Sequence, residues 1–247
     1  MPKNMRLLTC LQTLPIFVVG RDEGHSIEEL GALRNLRILK LDCMNVLEEW
    51  KDAKELTSAG EVLVFPCLEE LSLSICLKLR YLPGSLNTCA SLQKLVVLDC
   101  PKLRYLPGVP SSIIRYGIEE LPTVSEYLEN WDCLPSSSTS SIQLSLQSLK
   151  LQGSDTLLDQ IQYFIALKIL WIEDYYETVA LPEWLGNISS LQQLYLAYCL
   201  NLVHLPTKEA MQRLTQLKKL VIFGCPKLEH NERIKISHVP WVEINSQ

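Results

Sequence analysis

Aliphatic residues recur along this chain at a fixed spacing with polar residues between them. The fullest phrase is Leu68-x-x-Leu71-x-Leu73-x-x-Cys76-x-x-Leu79-x-x-Leu82-Pro83, and it returns from Leu92 through Cys100 to Leu106-Pro107. It returns again from Leu191 through Cys199 to Leu205-Pro206, and a last copy runs from Leu217 through Cys225 to Leu228. Shorter copies stand at Leu36–Met44, Leu146–Ser154 and Leu167–Tyr175. The x-Leu-x-Leu-x core alternates with period two, so each copy predicts a short strand with its aliphatic residues on one face.

Cys76 and Cys100 are 24 residues apart, and Cys199 and Cys225 are 26 apart. That period is the one at which leucine-rich repeats stack. The expected fold class is therefore an α/β repeat, a leucine-rich repeat solenoid. Parallel strands form a curved sheet on its concave face, and irregular or short helical segments form the convex face. No repeat can bury its own aliphatic side chains, so the core exists only between stacked neighbours.

The phrase is interrupted in places. Residues 1–24 read as an entry repeat, 25–107 as the N-terminal repeats, 108–145 as one degenerate repeat (Ile113–Leu121) with a Ser-rich loop, and 146–247 as the C-terminal repeats and cap. All four belong to one repeat domain spanning 1–247. The capping box Ser26-Ile-Glu-Glu29 predicts a helix from Ile27 to about Leu33, because the serine hydroxyl and Glu29 satisfy each other's backbone amides. The charged insertion 45–64 predicts a short helix, and Val239-Pro-Trp-Val-Glu243 is expected to cap the C-terminal end.

A net charge of −5 argues against a nucleic-acid-binding surface, which is normally basic. No stretch approaches the roughly 18 apolar residues of a membrane span. The N-terminal residues do not form a secretory signal either, because Pro15 interrupts the apolar run and no small-residue cleavage site follows. The cytoplasm or nucleus is the expected location. Four of the nine cysteines share one slot of the repeat, where a small side chain closes the turn after the strand; they read as buried structural thiols and not as a metal or disulfide framework.

No catalytic constellation emerges. The phosphate-cradling G-x-x-x-x-G-K pattern and the G-x-S-x-G elbow are both missing, and Gly20–Gly24 has no following lysine. His25, His204, His230 and His238 are far apart and fall in predicted loops; Glu48-Glu49, Glu69-Glu70 and Glu119-Glu120 read as solvated pairs. Asn187-Ile188-Ser189 matches a glycosylation sequon by three residues only. No enzyme, cofactor or metal is expected.

The outward strand positions carry the informative surface. In chain order they are Lys40 and Asp42, Ser72 and Ser74, Val96 and Leu98, Lys150 and Gln152, Trp171 and Glu173, Tyr195 and Ala197, and Val221 and Phe223. Trp171, Tyr195 and Val221 become lateral neighbours about 4.8 Å apart. With Phe223, Tyr198, Glu173, Lys150 and Val96 they form a candidate protein-binding patch, since exposed aromatic clusters mark such sites. Covering of the same patch by a neighbouring domain or the C-terminal tail is the alternative.

The Cys-Pro-Lys-Leu phrases at 100–103 and 225–228, followed in the first case by Leu106-Pro107, resemble those of plant nucleotide-binding leucine-rich-repeat disease-resistance proteins of the coiled-coil class. LTCLQTLPIFVVG at 8–20 with IEELGALRNLR at 27–37, and LPEWLGNISSLQQLYLAYCLNLVHLP at 181–206, are similar to segments of that family. The resemblance implies recognition of a pathogen effector or a guarded host protein, contact with the receptor's own nucleotide-binding module, and a part in the defence response. It also implies a truncated receptor, because no residues match the signalling or nucleotide-binding modules. The alternatives are a free-standing adaptor, such as the substrate arm of a ubiquitin ligase, and a non-functional receptor remnant.

Overall fold

A computed structural model describes residues 7–17, 27, 30, 33–50, 65–110, 146–153, 155–228 and 230–245. Nine five-residue strands stack in chain order into one parallel sheet. They are β1 Thr13–Phe17, β2 Ile38–Asp42, β3 Glu70–Ser74, β4 Lys94–Leu98 and β5 Ser148–Gln152, followed by β6 Ile169–Glu173, β7 Gln193–Ala197, β8 Lys219–Phe223 and β9 Trp241–Asn245. From β2 onward the register is regular, with the first inward leucines aligned from Leu39 through Leu71, Leu95, Leu149 and Leu170 to Leu194 and Leu220. All seven are fully buried. The chain is a leucine-rich repeat solenoid.

Where the flanking residues are described, the strands are entered and left by the same local devices. Before it, an i→i−3 backbone bond tightens the chain, as from Leu92 to Cys89, Leu191 to Ile188, Leu217 to Leu214 and Val239 to Ile236. After it, the next residue takes a left-handed conformation at Cys43, Ile75, Asp99, Gly153, Asp174, Tyr198 and Gly224. That turn lets the amide continue the ladder beyond the strand. The N–H groups of Cys43, Ile75, Asp174, Tyr198 and Gly224 reach the last strand carbonyl of the following repeat, at 2.8–3.0 Å.

Left-handed backbone costs a non-glycine residue about 1–2 kcal/mol, and a β-branched side chain is the least suited to it. Ile75, at φ 53°, bears that cost on the surface. Ile75→Gly is therefore expected to stabilise the protein by about 0.5–1 kcal/mol after allowing for the entropy of glycine. A rise in urea midpoint at unchanged slope would show it.

The residue after this left-handed position is the cysteine slot. Cys76, Cys100, Cys199 and Cys225 are all buried, as their spacing predicts. Their sulfurs lie 3.3–3.5 Å from the carbonyls of Ser74, Leu98, Ala197 and Phe223, which close each strand. These carbonyls already accept the left-handed amide of the preceding repeat. A thiol is small enough to satisfy the second lone pair without displacing the first bond. The hydrogen bond with Cys76 and burial together raise the Cys100 thiol far above its ordinary range. Burial likewise pushes Cys89, which sits under the carbonyls of Phe65 and Leu68, up to about 11. Cys89 and Cys100 are thus held protonated and enclosed, the condition of an unreactive thiol.

The convex side is built from short turns. Among the described residues its 3-10 helices are Gly84–Thr88, Asp155–Tyr163, Glu183–Asn187 and His230–Ile236, with one α-helix, α1, at Lys208–Arg213. Thr207 caps α1 by accepting from the Ala210 amide at 3.3 Å. Gly186 lies so close to Ala210 that an added Cβ would meet its carbonyl oxygen, which fixes how the two turns pack. Gln160 is buried and spans repeats, donating to Arg104 O and accepting from the Leu106 amide.

Several expectations change. The C-terminal segment expected to cap the domain contains a ninth strand, paired with β8 over all five residues. Ala197 keeps its outward position in the register but is buried there. Glu69 and Glu70 are not simply solvated: Arg37 meets Glu69 at 2.7 Å, and Lys94 meets Glu70 at 3.2 Å, each between adjacent repeats. His204 lies in an isolated bridge with Ala180 rather than in a loop, and His230 begins a 3-10 helix. Residues 51–64 of the charged insertion, the degenerate repeat at 113–121, Gly20–Gly24 and most of the 27–33 helix lie outside the described residues.

Candidate protein-recognition surface

Strand alternation turns the concave face into a grid. The middle outward row runs Lys40, Ser72, Val96, Lys150, Trp171, Tyr195, Val221 and Glu243 in register. A second row towards the strand exits includes Gln152, Glu173, Ala197 and Phe223. A third row, at the first residue of each strand, was not among the sequence-derived candidates. It contributes Lys94, Gln193, Lys219 and Trp241. Its signal was available, since the residue before each first inward leucine must also face outward.

Four consecutive strands build the centre of the patch. The rings of Trp171 and Tyr195 stack at 4.5 Å with an interplanar angle of 13°. The Lys150 ammonium lies 4.6 Å from the Trp171 ring centroid on one side, and that of Lys219 lies 5.3 Å from the Tyr195 ring on the other. Following strand order, each ring thus has one face against the other ring and its other face beneath a lysine. The ring edges are left for solvent. Such a stack is no platform on which a base or a sugar could lie flat.

Polar bonds fix the rings. Glu173 accepts from Lys150 at 2.7 Å and from the Trp171 indole N–H at 3.1 Å, while the Tyr195 hydroxyl donates to Gln193 at 2.7 Å. Two further aromatics sit at the exit edge. Tyr198 packs edge-on against Phe223 at 5.0 Å, and Gly224 passes so near Tyr198 that a Cβ would strike its ring. Tyr198 is 43% exposed, the most open of the predicted residues. Val221 adjoins Tyr195 as predicted. Val96 belongs to the same row but is separated from the ring stack by Lys150.

The exit edge is acidic. Gln152 donates to Asp174 at 2.6 Å, and the neighbouring Tyr176 phenol is raised above its ordinary range by its hydrogen bond to Asp174. Among the described residues no helix is long and apolar enough to cross a membrane.

Comparison with known proteins agrees with the architecture. The family model described as R13L1/DRL21 LRRs matches residues 138–225, a little over a third of the chain. No curated protein sequence matches significantly. Among solved structures, the leucine-rich repeat domain of the type III effector XopL superposes with a TM-score of 0.54 at 22% identity, over 99% of this chain and 72% of that one. An internalin from Listeria monocytogenes gives a TM-score of 0.44 at 14% identity, over 97% and 63% of the two chains. The XopL likeness is one of fold.

Proposed function

We propose that this protein is a non-enzymatic recognition module of the plant intracellular immune-receptor type, acting in the cytoplasm or nucleus. In this reading it binds a pathogen effector or a guarded host protein through its concave face. The observation that carries the binding site is the pinned Lys150–Trp171–Tyr195–Lys219 stack. Long side chains held rigid before binding lose little entropy when a partner arrives, which is the property of interface hot spots. Val96, Glu173, Tyr198, Val221 and Phe223 complete the surface. The immune role is supported by the match of residues 138–225 to the R13L1/DRL21 repeat family and by the Cys-Pro-Lys-Leu and Leu-Pro phrasing.

The chemistry of the stack also suggests what touches it. Ring edges carry partial positive charge and the flanking ammonium groups add to it. Oxygen atoms, from carbonyls or carboxylates, are the fitting partners, and Glu173 occupies one such position within the chain itself.

The test is the double variant Trp171→Ala/Tyr195→Ala, compared with the wild type by quantitative co-purification from plant tissue. The expected result is loss of specific partners by about tenfold or more, as for removal of hot-spot residues. The variant should stay folded, with a melting temperature lower by no more than about 10 °C, since neither side chain belongs to the core. An unchanged set of bound proteins would remove this face as the recognition site.

A further inference from the structure

Two consecutive repeats leave their strands through the same residues. Lys-Leu-Arg-Tyr-Leu-Pro stands at 78–83 and again at 102–107. The leucines and prolines of both copies are buried, whereas Lys78, Lys102 and Arg104 are exposed and Arg80 is half-buried.

Backbone pairing sets the two copies side by side. Each lysine sits in the same turn, closed from the Leu79 amide to Cys76 O at 3.2 Å and from the Leu103 amide to Cys100 O at 3.1 Å. The Arg104 amide donates to Arg80 O at 3.0 Å, and the Tyr81 and Tyr105 rings stack at 6.5 Å. Lys78 therefore lies beside Lys102 and Arg80 beside Arg104, about 4.8 Å apart at the backbone. Within each copy the two cations are two residues, or about 6.5 Å, apart. All four positive charges share one small flank of the solenoid.

Like charges on neighbouring rungs repel each other. Elsewhere neighbouring repeats carry opposite charges, as in Arg37–Glu69, Lys94–Glu70 and Lys150–Glu173. At the position equivalent to Lys78 and Lys102, Lys227 donates to Asn201 at 2.6 Å. Among the described residues, no ion pair or side-chain hydrogen bond engages Lys78, Arg80, Lys102 or Arg104. A bound anion would relieve this repulsion.

The quartet is bounded on both sides. Before it, Val46 and Glu48 hold the equivalent positions, and Glu48 O accepts from the Arg80 amide at 2.8 Å. After it, the next described repeat turns into the 3-10 helix Asp155–Tyr163, whose Gln160 donates to Arg104 O at 2.6 Å. A nucleic-acid strand needs a longer track of cations than two rungs supply.

We infer that Lys78, Arg80, Lys102 and Arg104 form a binding site for two adjacent phosphate groups. A phosphate monoester carries about −1.5 to −2 charge and three strong acceptor oxygens, so two of them match the four cations. Carboxylates, with one charge each, would have to number four in the same space. The guanidinium forks of Arg80 and Arg104 suit bidentate contact with phosphate oxygens, and the lysines add point charges beside them. A soluble diphosphate and a phosphorylated lipid headgroup share this chemistry. The exposed Leu77 and Pro101 next to the lysines would favour the headgroup.

The probe is inorganic pyrophosphate, titrated calorimetrically into the full chain at fixed ionic strength. Saturable binding is expected, weaker by about tenfold or more in Arg80→Gln/Arg104→Gln, which lacks the forks. Lys78→Gln/Lys102→Gln should weaken it as well. Without pyrophosphate, both variants should melt no lower than the wild type, because each removes a like-charge contact. A second arm floats the chain with phosphatidylcholine vesicles containing about one-twentieth phosphatidylinositol bisphosphate. Flotation that is lost in the arginine variant assigns a lipid headgroup, and pyrophosphate binding without flotation assigns a soluble ligand. Absence of both, or binding that the variants retain, would overturn the inference. So would sulfate that binds as tightly as pyrophosphate, or variants that lose binding only because they melt lower.

Discussion

Truncating Leu194 to alanine is expected to cost about 3–4 kcal/mol, whereas truncating the next residue, Tyr195, should cost only about 1–1.5 kcal/mol. Leu194 is fully buried between Leu170 and Leu220, and nothing else can fill the space it leaves. Tyr195 faces the concave solvent, and its removal forfeits one stacking contact, one hydrogen bond and the exposed cation–π contact with Lys219. The loss at Leu194 should also be local, because each repeat touches only its neighbours. Hydrogen exchange resolved along the chain should quicken most in β6, β7 and β8 and least in β2 and β3. Uniform quickening along the sheet, or equal costs at the two positions, would show that the repeats are not stacked as described.

Replacing Glu232 by alanine should have a comparable effect through a different cause, costing about 3 kcal/mol. Its carboxylate is buried and accepts from the Leu205 amide at 2.7 Å and Lys235 at 2.8 Å, with His204 Nδ1 at 3.4 Å. It ties the 3-10 helix at 230–236 to the preceding repeat and so positions the approach to β9. Glu232→Gln keeps an acceptor for the Leu205 amide and should cost about half as much. The carboxyl also gives a pH signature. Burial alone would raise its pKa, but Lys235, the Leu205 amide and His204 outweigh that and hold it below the ordinary carboxylate value. A depressed folded-state pKa means that the stabilisation is fully present above the unfolded value. It is lost as pH falls through the folded one. The stability gap between wild type and Glu232→Gln should therefore be widest near neutrality and narrow on acidification. A gap independent of pH would exclude the carboxylate as the source.

Much of the fold was legible because one spacing does two jobs. In Leu191-x-x-Leu194-x-Leu196 the same residues set strand alternation and repeat period, so register follows from counting, and Trp171, Tyr195 and Val221 fall side by side. The cysteine slot was legible for a similar reason, since a position that recurs in phase with the core must have a repeated environment. β9 was harder to see because its phrase is spelled without leucine. Ile236-x-x-Val239-x-x-Val242-x-Ile244 has the spacing of Leu214-x-x-Leu217-x-x-Leu220-x-Ile222, and only a search indifferent to residue type would align them.

The left-handed residue after each strand could not be read from the residues that hold it. Glycine marks it only at Gly153 and Gly224 among the described strand exits; at Cys43, Ile75, Asp174 and Tyr198 ladder bonds of the surrounding sheet hold the residue there, and Asp99 adopts it as well. At the candidate site, the neighbour relations were legible but the ring orientation was not. Whether Trp171 and Tyr195 lie flat or stand stacked depends on Lys150, Lys219, Glu173 and Gln193, and the third outward row supplies two of those four.

The proposed role of the concave face is tested most directly by hydroxyl-radical footprinting of the chain alone and with a co-purified partner. Trp171, Tyr195, Tyr198 and Phe223 should be shielded in the complex, while Trp184, on the convex turn beside Asp159, reacts unchanged. Shielding of Trp184 with unaltered oxidation of Trp171 and Tyr195 would contradict the assignment of the concave face.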